Sequence, residues 1–239
     1  MSKREQIRQR RQQERRRTLL TGVVIIAAIA LVITALVIFR TQAAISGIVV
    51  PEFYDYPAQT DGATMGDPEA PVQVVEFSDF QCSACAFYHA ETLAQVIDSY
   101  VQTGQVYFVY RSFPVIDARA ARKESHTAAL AGYCAAEQDR FWEFHDVLFA
   151  NRIGENAGSF TIARLEAMAD TLGLDSSFDS CLAEETYLDR LNEDIQLGRD
   201  AGVNSTPSFL INGKLVVGAL PFEQFAVEVE QALAEVENQ

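Results

Sequence analysis

Thr18 to Phe39, TLLTGVVIIAAIALVITALVIF, is an unbroken run without a single charged side chain. As a helix these 22 residues would span roughly 33 Å, the thickness of the hydrocarbon part of a bilayer. A buried core helix normally keeps a polar face, and this run has none. A cleaved signal peptide is the rival reading, since Ala44 and Ser46 offer a small-x-small pattern, but the apolar stretch of such a peptide covers only about 7–15 residues. The expectation is an uncleaved anchor closed by Arg40. The preceding MSKREQIRQRRQQERRR carries eight Lys/Arg against two Glu, and the positive-inside bias keeps such a cluster in the cytoplasm. The chain then reads as a basic cytoplasmic tail (1–17), one transmembrane helix (18–39) and a body outside the cytoplasm, a single-pass protein of the cell membrane.

From Thr41 onward ten Lys/Arg face 31 Asp/Glu. Such an acidic body repels phosphates, so no nucleic acid partner is expected. With 49% hydrophobic and 10% aromatic residues over 239 positions, one sizeable core is affordable. Thr41 to Ala70, with Pro51, Pro57, Pro68, Gly47, Gly62 and Gly66, reads as a juxtamembrane linker, of which 40–64 is assigned to the linker proper, before the body begins at residue 65. VQVVEF (Val72–Phe77) suits a buried strand. Leu93, Val96, Ile97, Tyr100 and Val101 recur at helical spacing until Gly104, and QVYFVYRSF (Gln105–Phe113) is a second strand. Residues from about 118 to 202 hold three to five helices. SFLI, Asn212-Gly213 and LVVG form a hairpin, and Pro221 opens a last helix. The fold class is α/β: a mixed sheet covered by helices, with a helical module inserted.

Cys82 and Cys85 stand at the turn from the first strand into the first helix. A cysteine there faces unpaired backbone N–H groups and the positive end of the helix dipole, which favour thiolate over thiol. The partner three residues on lies one turn along and can close a disulfide that expels a bound substrate. Cys82 is the expected attacker and Cys85 the sheltered resolving thiol. Two other readings stand beside this one. With His89 the pair offers three metal ligands, although a structural zinc site wants a fourth and no second C-x-x-C or H-x-x-x-H exists. A purely structural disulfide inside one helix would cross-link almost nothing.

GDPEAPVQVVEFSDFQCSAC (Gly66–Cys85), AGYCAAEQDRFWEFHDVLF (Ala131–Phe149) and DIQLGRDAGVNSTPSFLING (Asp194–Gly213) resemble the DsbA-like family of thioredoxin-fold thiol:disulfide oxidoreductases. The resemblance implies a thioredoxin fold with an inserted helical domain over residues 65–239. It implies that Thr206-Pro207 is a cis-proline loop facing the cysteines and binding substrate, and that Glu76 is a buried acid beneath the pair that relays a proton to Cys85. Many relatives carry Pro-aromatic or Pro-His between the cysteines; this chain has Ser83-Ala84, so redox strength does not carry over. The expected partners are exported client proteins with cysteines and a membrane redox-recycling protein; no cofactor and no metal is expected. Reductase or isomerase activity is the near alternative, and a metal-binding or chaperone-like module on the same fold is the distant one.

Cys134 and Cys181 both fall in helical segments of the insertion, in an oxidising compartment. A structural disulfide between them is expected, against two buried free thiols. His126 and His145 read as surface or core-edge residues, and His89 as helix packing. Phe141, Trp142, Phe144 and Phe149 read as the core of the insertion.

Overall fold

The computed structural model describes residues 3–57, 62–119 and 123–238. Residues 58–61 of the expected linker, 120–122 of the expected insertion, 1–2 of the tail and 239 lie outside the described residues. The chain forms two compact units, Met1–Ser46 and Gly47–Gln239. The first is one helix, α1 (Lys3–Ile45). Within it Leu19–Phe39 has a mean hydropathy of 3.1, long and apolar enough to cross a membrane, as a signal sequence near an N-terminus would also be. The Thr34 hydroxyl donates to the Ala30 carbonyl at 2.9 Å. Its hydrogen bond is thus made inside the helix, as an apolar surrounding requires.

The second unit is a five-stranded mixed sheet in the order β1-β3-β2-β4-β5. The strands are β1 (Thr64–Met65), β2 (Val72–Ser78), β3 (Val106–Ser112), β4 (Ser208–Ile211) and β5 (Lys214–Val217). β2 and β3 run parallel, and the other neighbours pair antiparallel. A parallel pair needs a crossover. Here it is α2 (Ser83–Tyr88), continued through a π-helical turn (His89–Leu93), α3 (Ala94–Val96) and a second π-helical segment (Ile97–Val101). Gly104, at φ 75°, ends the run. The hairpin turn places Asn212 and Gly213 both at positive φ, the geometry that matches strand twist and for which Asn-Gly is suited. The two-residue β1 escaped the sequence, because two residues carry no periodicity.

Among the described residues, five α-helices make the insertion: α4 (Glu124–Ala136), α5 (Phe141–Ala150), α6 (Ile162–Thr171), α7 (Ser176–Ala183) and α8 (Leu188–Asp200). Cys134 on α4 is bonded to Cys181 on α7, with Cα atoms 5.8 Å apart. The insertion has no separate core. Phe149 packs on Phe80, and Phe141 and Trp142 pack on Tyr110 of β3, with ring centroids 5.2 to 6.3 Å apart. Gly198 on α8 permits a close approach to β3. A Cβ there would come within 2.8 Å of two atoms of the Phe113 ring. The last helix, α9 (Phe222–Glu237), packs on the sheet through Phe225, whose ring lies 5.0 Å from that of Phe209 on β4, and through the buried Val229.

Part of the stretch read as linker lies along the body. Ile48, Phe53, Tyr54 and Tyr56 pack against the core. The N–H and C=O of Val49 both bond the Asn151 side chain, at 2.8 and 2.7 Å. Proline and glycine content signalled the irregular backbone, but not that its aromatic residues find a surface to cover.

Candidate active site

β2 is the central strand, and its C-terminal end delivers the chain to the cysteines. Cys82 occupies the N-cap of α2 in an extended conformation, φ −72° and ψ 128°. Its carbonyl accepts from Ala86 N–H at 3.1 Å, while its own N–H donates to the Asp79 carbonyl at 2.9 Å. The thiol is therefore held where the first free N–H groups of the helix converge. The Cys85 thiol lowers the Cys82 pKa most. Burial opposes this, and Thr206 and the backbone N–H groups of Cys85 and Ala84 add to it; the outcome is about 5. Cys85 has no exposed surface. Its thiol is pushed up, first by burial and then by the neighbouring Cys82. Both cysteines are dithiol in this structure. One sulfur is primed to carry charge and the other to hold a proton.

Thr206–Pro207 is a cis peptide, and the Cys82 thiol donates to the Thr206 carbonyl at 3.3 Å. Pro207 immediately precedes β4, where a missing N–H is tolerated. Thr206, Pro207, Cys82 and Cys85 thus form one patch.

Glu76 on β2 stands in register between Tyr110 of β3 and Phe209 of β4. It is 2% exposed, and burial raises its carboxyl to about 8. Ser78, two residues on and on the same face of the strand, lowers both the Glu76 carboxyl and the Cys85 thiol. Glu76 Oε2 and Ser78 Oγ nevertheless make no hydrogen bond of normal geometry. Ser78 thus acts on both the Glu76 carboxyl and the Cys85 thiol. Cys134 and Cys181 bridge α4 to α7 within the insertion.

One expectation about histidine needs correction. His145 is not at the core edge: it is 1% exposed, ringed by Phe80, Tyr110, Phe141, Trp142 and Phe149. Burial lowers its pKa to about 4, so it is neutral. His89 does pack in its helix but also bonds Asp146, at 2.8 Å. His89, His145 and Asp146 are the one cluster among the described residues that could hold a metal ion, with ligand atoms within 4.8 Å of one another. Asp146 Oδ1 already bonds His89 and accepts from Tyr56, the latter at 2.6 Å. This hydrogen-bonded network suits a structural tie better than a metal site, and it does not include the cysteines.

Sequence reasoning passed over Ser78, Asp79, Gln81 and Ser125, all at most 2% exposed. The Asp79 carboxyl accepts from Gln81 N–H, the Ser125 hydroxyl and Ile116 N–H, at 2.9, 2.6 and 3.0 Å. Burial raises its pKa to about 6 against those three bonds, and the charge on Cys82 adds to the rise. The available signal was the crowding of Ser, Asp and Gln between an apolar strand and a helix.

A parallel-crossover sheet with a helical insertion and a C-x-x-C pair at the helix start defines a thioredoxin-fold dithiol protein. The model of a family described as thioredoxin matches residues 58–231, and the chain belongs to that family. Among curated proteins, Na(+)/H(+) antiporter NhaA 3 of Salinispora tropica is 32% identical over 170 residues. That match covers 71% of this chain but only 24% of the antiporter, so the chain spans about a quarter of the length of that relative. Disulfide bond formation protein D of Bacillus subtilis is 24% identical over 183 residues, covering 71% of this chain and 76% of the relative. The crystal structure of oxidised BdbD from Bacillus subtilis superposes with a TM-score of 0.64 at 22% identity, over 76% of this chain and 98% of that one. The fold is the DsbA-like form of thioredoxin that the sequence motifs led us to expect.

Proposed function

We propose that the protein is a membrane-anchored thiol:disulfide oxidoreductase that introduces disulfides into exported proteins through Cys82 and Cys85. The observation that carries this reading is the asymmetry of the pair: a low-pKa thiol at the helix start and a buried, high-pKa partner three residues on. Disulfide exchange needs that difference, because the better leaving thiolate is the one of lower pKa. The name of the Bacillus subtilis relative, disulfide bond formation protein D, supports the oxidising direction.

In the oxidised enzyme a client thiolate attacks the Cys82 sulfur. The Cys82–Cys85 bond breaks, and Cys85 leaves as a thiolate and takes up a proton. A second client thiolate then attacks the client sulfur of the mixed disulfide, and Cys82 departs as a stable thiolate. The client has lost two electrons and the pair has gained them. The Glu76 carboxyl, acting across Ser78, supplies the proton that Cys85 needs. The carbonyl and N–H of Thr206 hold the client chain in extended form, as an added strand would. Pro207, with no N–H, keeps the loop from pairing elsewhere.

Residues 1–17 form the cytoplasmic tail, 18–39 the span, 40–64 the connection and 65–239 the extracytoplasmic catalytic domain. A membrane redox partner reoxidises the pair. The test is alkylation by iodoacetamide across pH. Cys82 should react with an inflection near pH 5, Cys82→Ser should abolish exchange, and Cys85→Ser should accumulate mixed disulfides with clients. Full exchange by Cys82→Ser would end the reading.

A further inference from the structure

Gln81 precedes the attacking cysteine and has no exposed surface. Every polar atom it carries is bonded. Its N–H donates to Asp79 Oδ1 at 2.9 Å, and its carbonyl accepts from Arg152 Nε at 2.7 Å. Its side-chain Nε2 donates to Ser125 Oγ at 2.8 Å and to Asp117 Oδ1 at 3.3 Å. Its Oε1 accepts from the backbone N–H of Asn156 at 2.5 Å. A buried glutamine without these partners would leave several unsatisfied polar groups. The partners are spread along the chain: Asp79 belongs to the redox turn, Asp117 and Ser125 to the entry of the insertion, and Arg152 and Asn156 to the loop after α5.

We propose that Gln81 is the positioning residue of the redox site: it clasps the turn bearing Cys82 to the helical insertion and so fixes the attacking sulfur against its thiolate-stabilising donors. The proposal rests on the exchange chemistry proposed above. The donors act over hydrogen-bond distance, so they serve only while the turn is held in place. Through Ser125, which accepts from Gln81 and donates to Asp79, the clasp also fixes a carboxyl that interacts with the Cys82 charge. The charged groups facing it are Asp79, Asp117 and Arg152. The family fold supplies a helix start beneath the cysteine; this clasp gives the insertion a part in the chemistry beyond covering the sheet.

The test uses the full chain and two readouts that a merely structural role would leave alone: the pH profile of Cys82 alkylation, and the equilibrium of the Cys82–Cys85 pair with glutathione. Gln81→Leu keeps the volume and removes the side-chain bonds. It should raise the alkylation inflection by about one pH unit, slowing reaction at pH 5 about fivefold. It should also make the pair about tenfold less oxidising, near 30 mV. Ser125→Ala cuts one link and should shift both in the same direction by less, which keeps the test open if Gln81→Leu folds poorly. Asn156→Gly retains the backbone donor at a residue already at positive φ and should change neither. Wild-type profiles in both Gln81→Leu and Ser125→Ala would overturn the proposal, as would an equal shift in Asn156→Gly. A wild-type Cys82 that titrates near 9 would instead overturn the exchange chemistry itself.

Discussion

Replacing Glu76 by glutamine should stabilise the protein, and only above a certain pH. Burial raises the folded-state carboxyl from an ordinary 4.5 to about 8. The folded protein therefore binds this proton more tightly than the unfolded chain does. The associated stability is fully present below pH 4.5, is lost as pH rises towards 8, and does not change further above that. Each pH unit in the window removes about 1.4 kcal/mol, so the loss reaches about 3 kcal/mol at pH 7 and about 5 kcal/mol above pH 8. Glutamine matches the protonated acid in shape and cannot ionise, so Glu76→Gln escapes the loss. Urea unfolding of both proteins in one redox state should give coincident midpoints at pH 4. At pH 8 the variant should unfold at clearly higher urea, with unchanged slopes. A difference that is the same at pH 4 and pH 8 would refute the reasoning. If Glu76 is the proton source proposed for Cys85, the same substitution should slow exchange while stability rises, the trade expected of a strained functional site.

Removing both Cys134 and Cys181 as alanines should cost at most about 4 kcal/mol, the chain-entropy value for a loop closed over a separation of 47 residues. A urea midpoint that does not fall would deny the bridge its stabilising role. Pro207→Ala should weaken turnover of an unfolded protein more than exchange with glutathione, which is too short to lie along the loop as an added strand; equal losses with both substrates would remove the loop from substrate binding.

The features legible in the sequence are those whose signal is local. VQVVEF and QVYFVYRSF declare buried strands, Asn212-Gly213 declares a turn, and a C-x-x-C at a strand-to-helix junction declares its own chemistry. What stayed hidden depends on distant parts of the chain meeting. Gln81 looks like a solvated turn residue until Ser125 and Asn156 close over it. His145 looks like an edge residue until Phe80 and Tyr110 arrive from the sheet. Phe53, Tyr54 and Tyr56 look like linker residues until the body offers a surface. Ser78 gains its interest only because β2 puts it on the same face as Glu76 and brings Cys85 over it. In each case a polar or aromatic side chain has two plausible environments, and tertiary contacts choose between them.

The central claim is that the Cys82–Cys85 disulfide passes to another protein. The most direct measurement mixes the oxidised protein with a reduced, unfolded protein bearing two cysteines, quenches with acid, and counts thiols on both by mass. The account predicts one client disulfide formed for each Cys82–Cys85 pair reduced, through a transient species joined at Cys82. A pair that stays oxidised while the client keeps both thiols, although dithiothreitol reduces the pair readily, would contradict it.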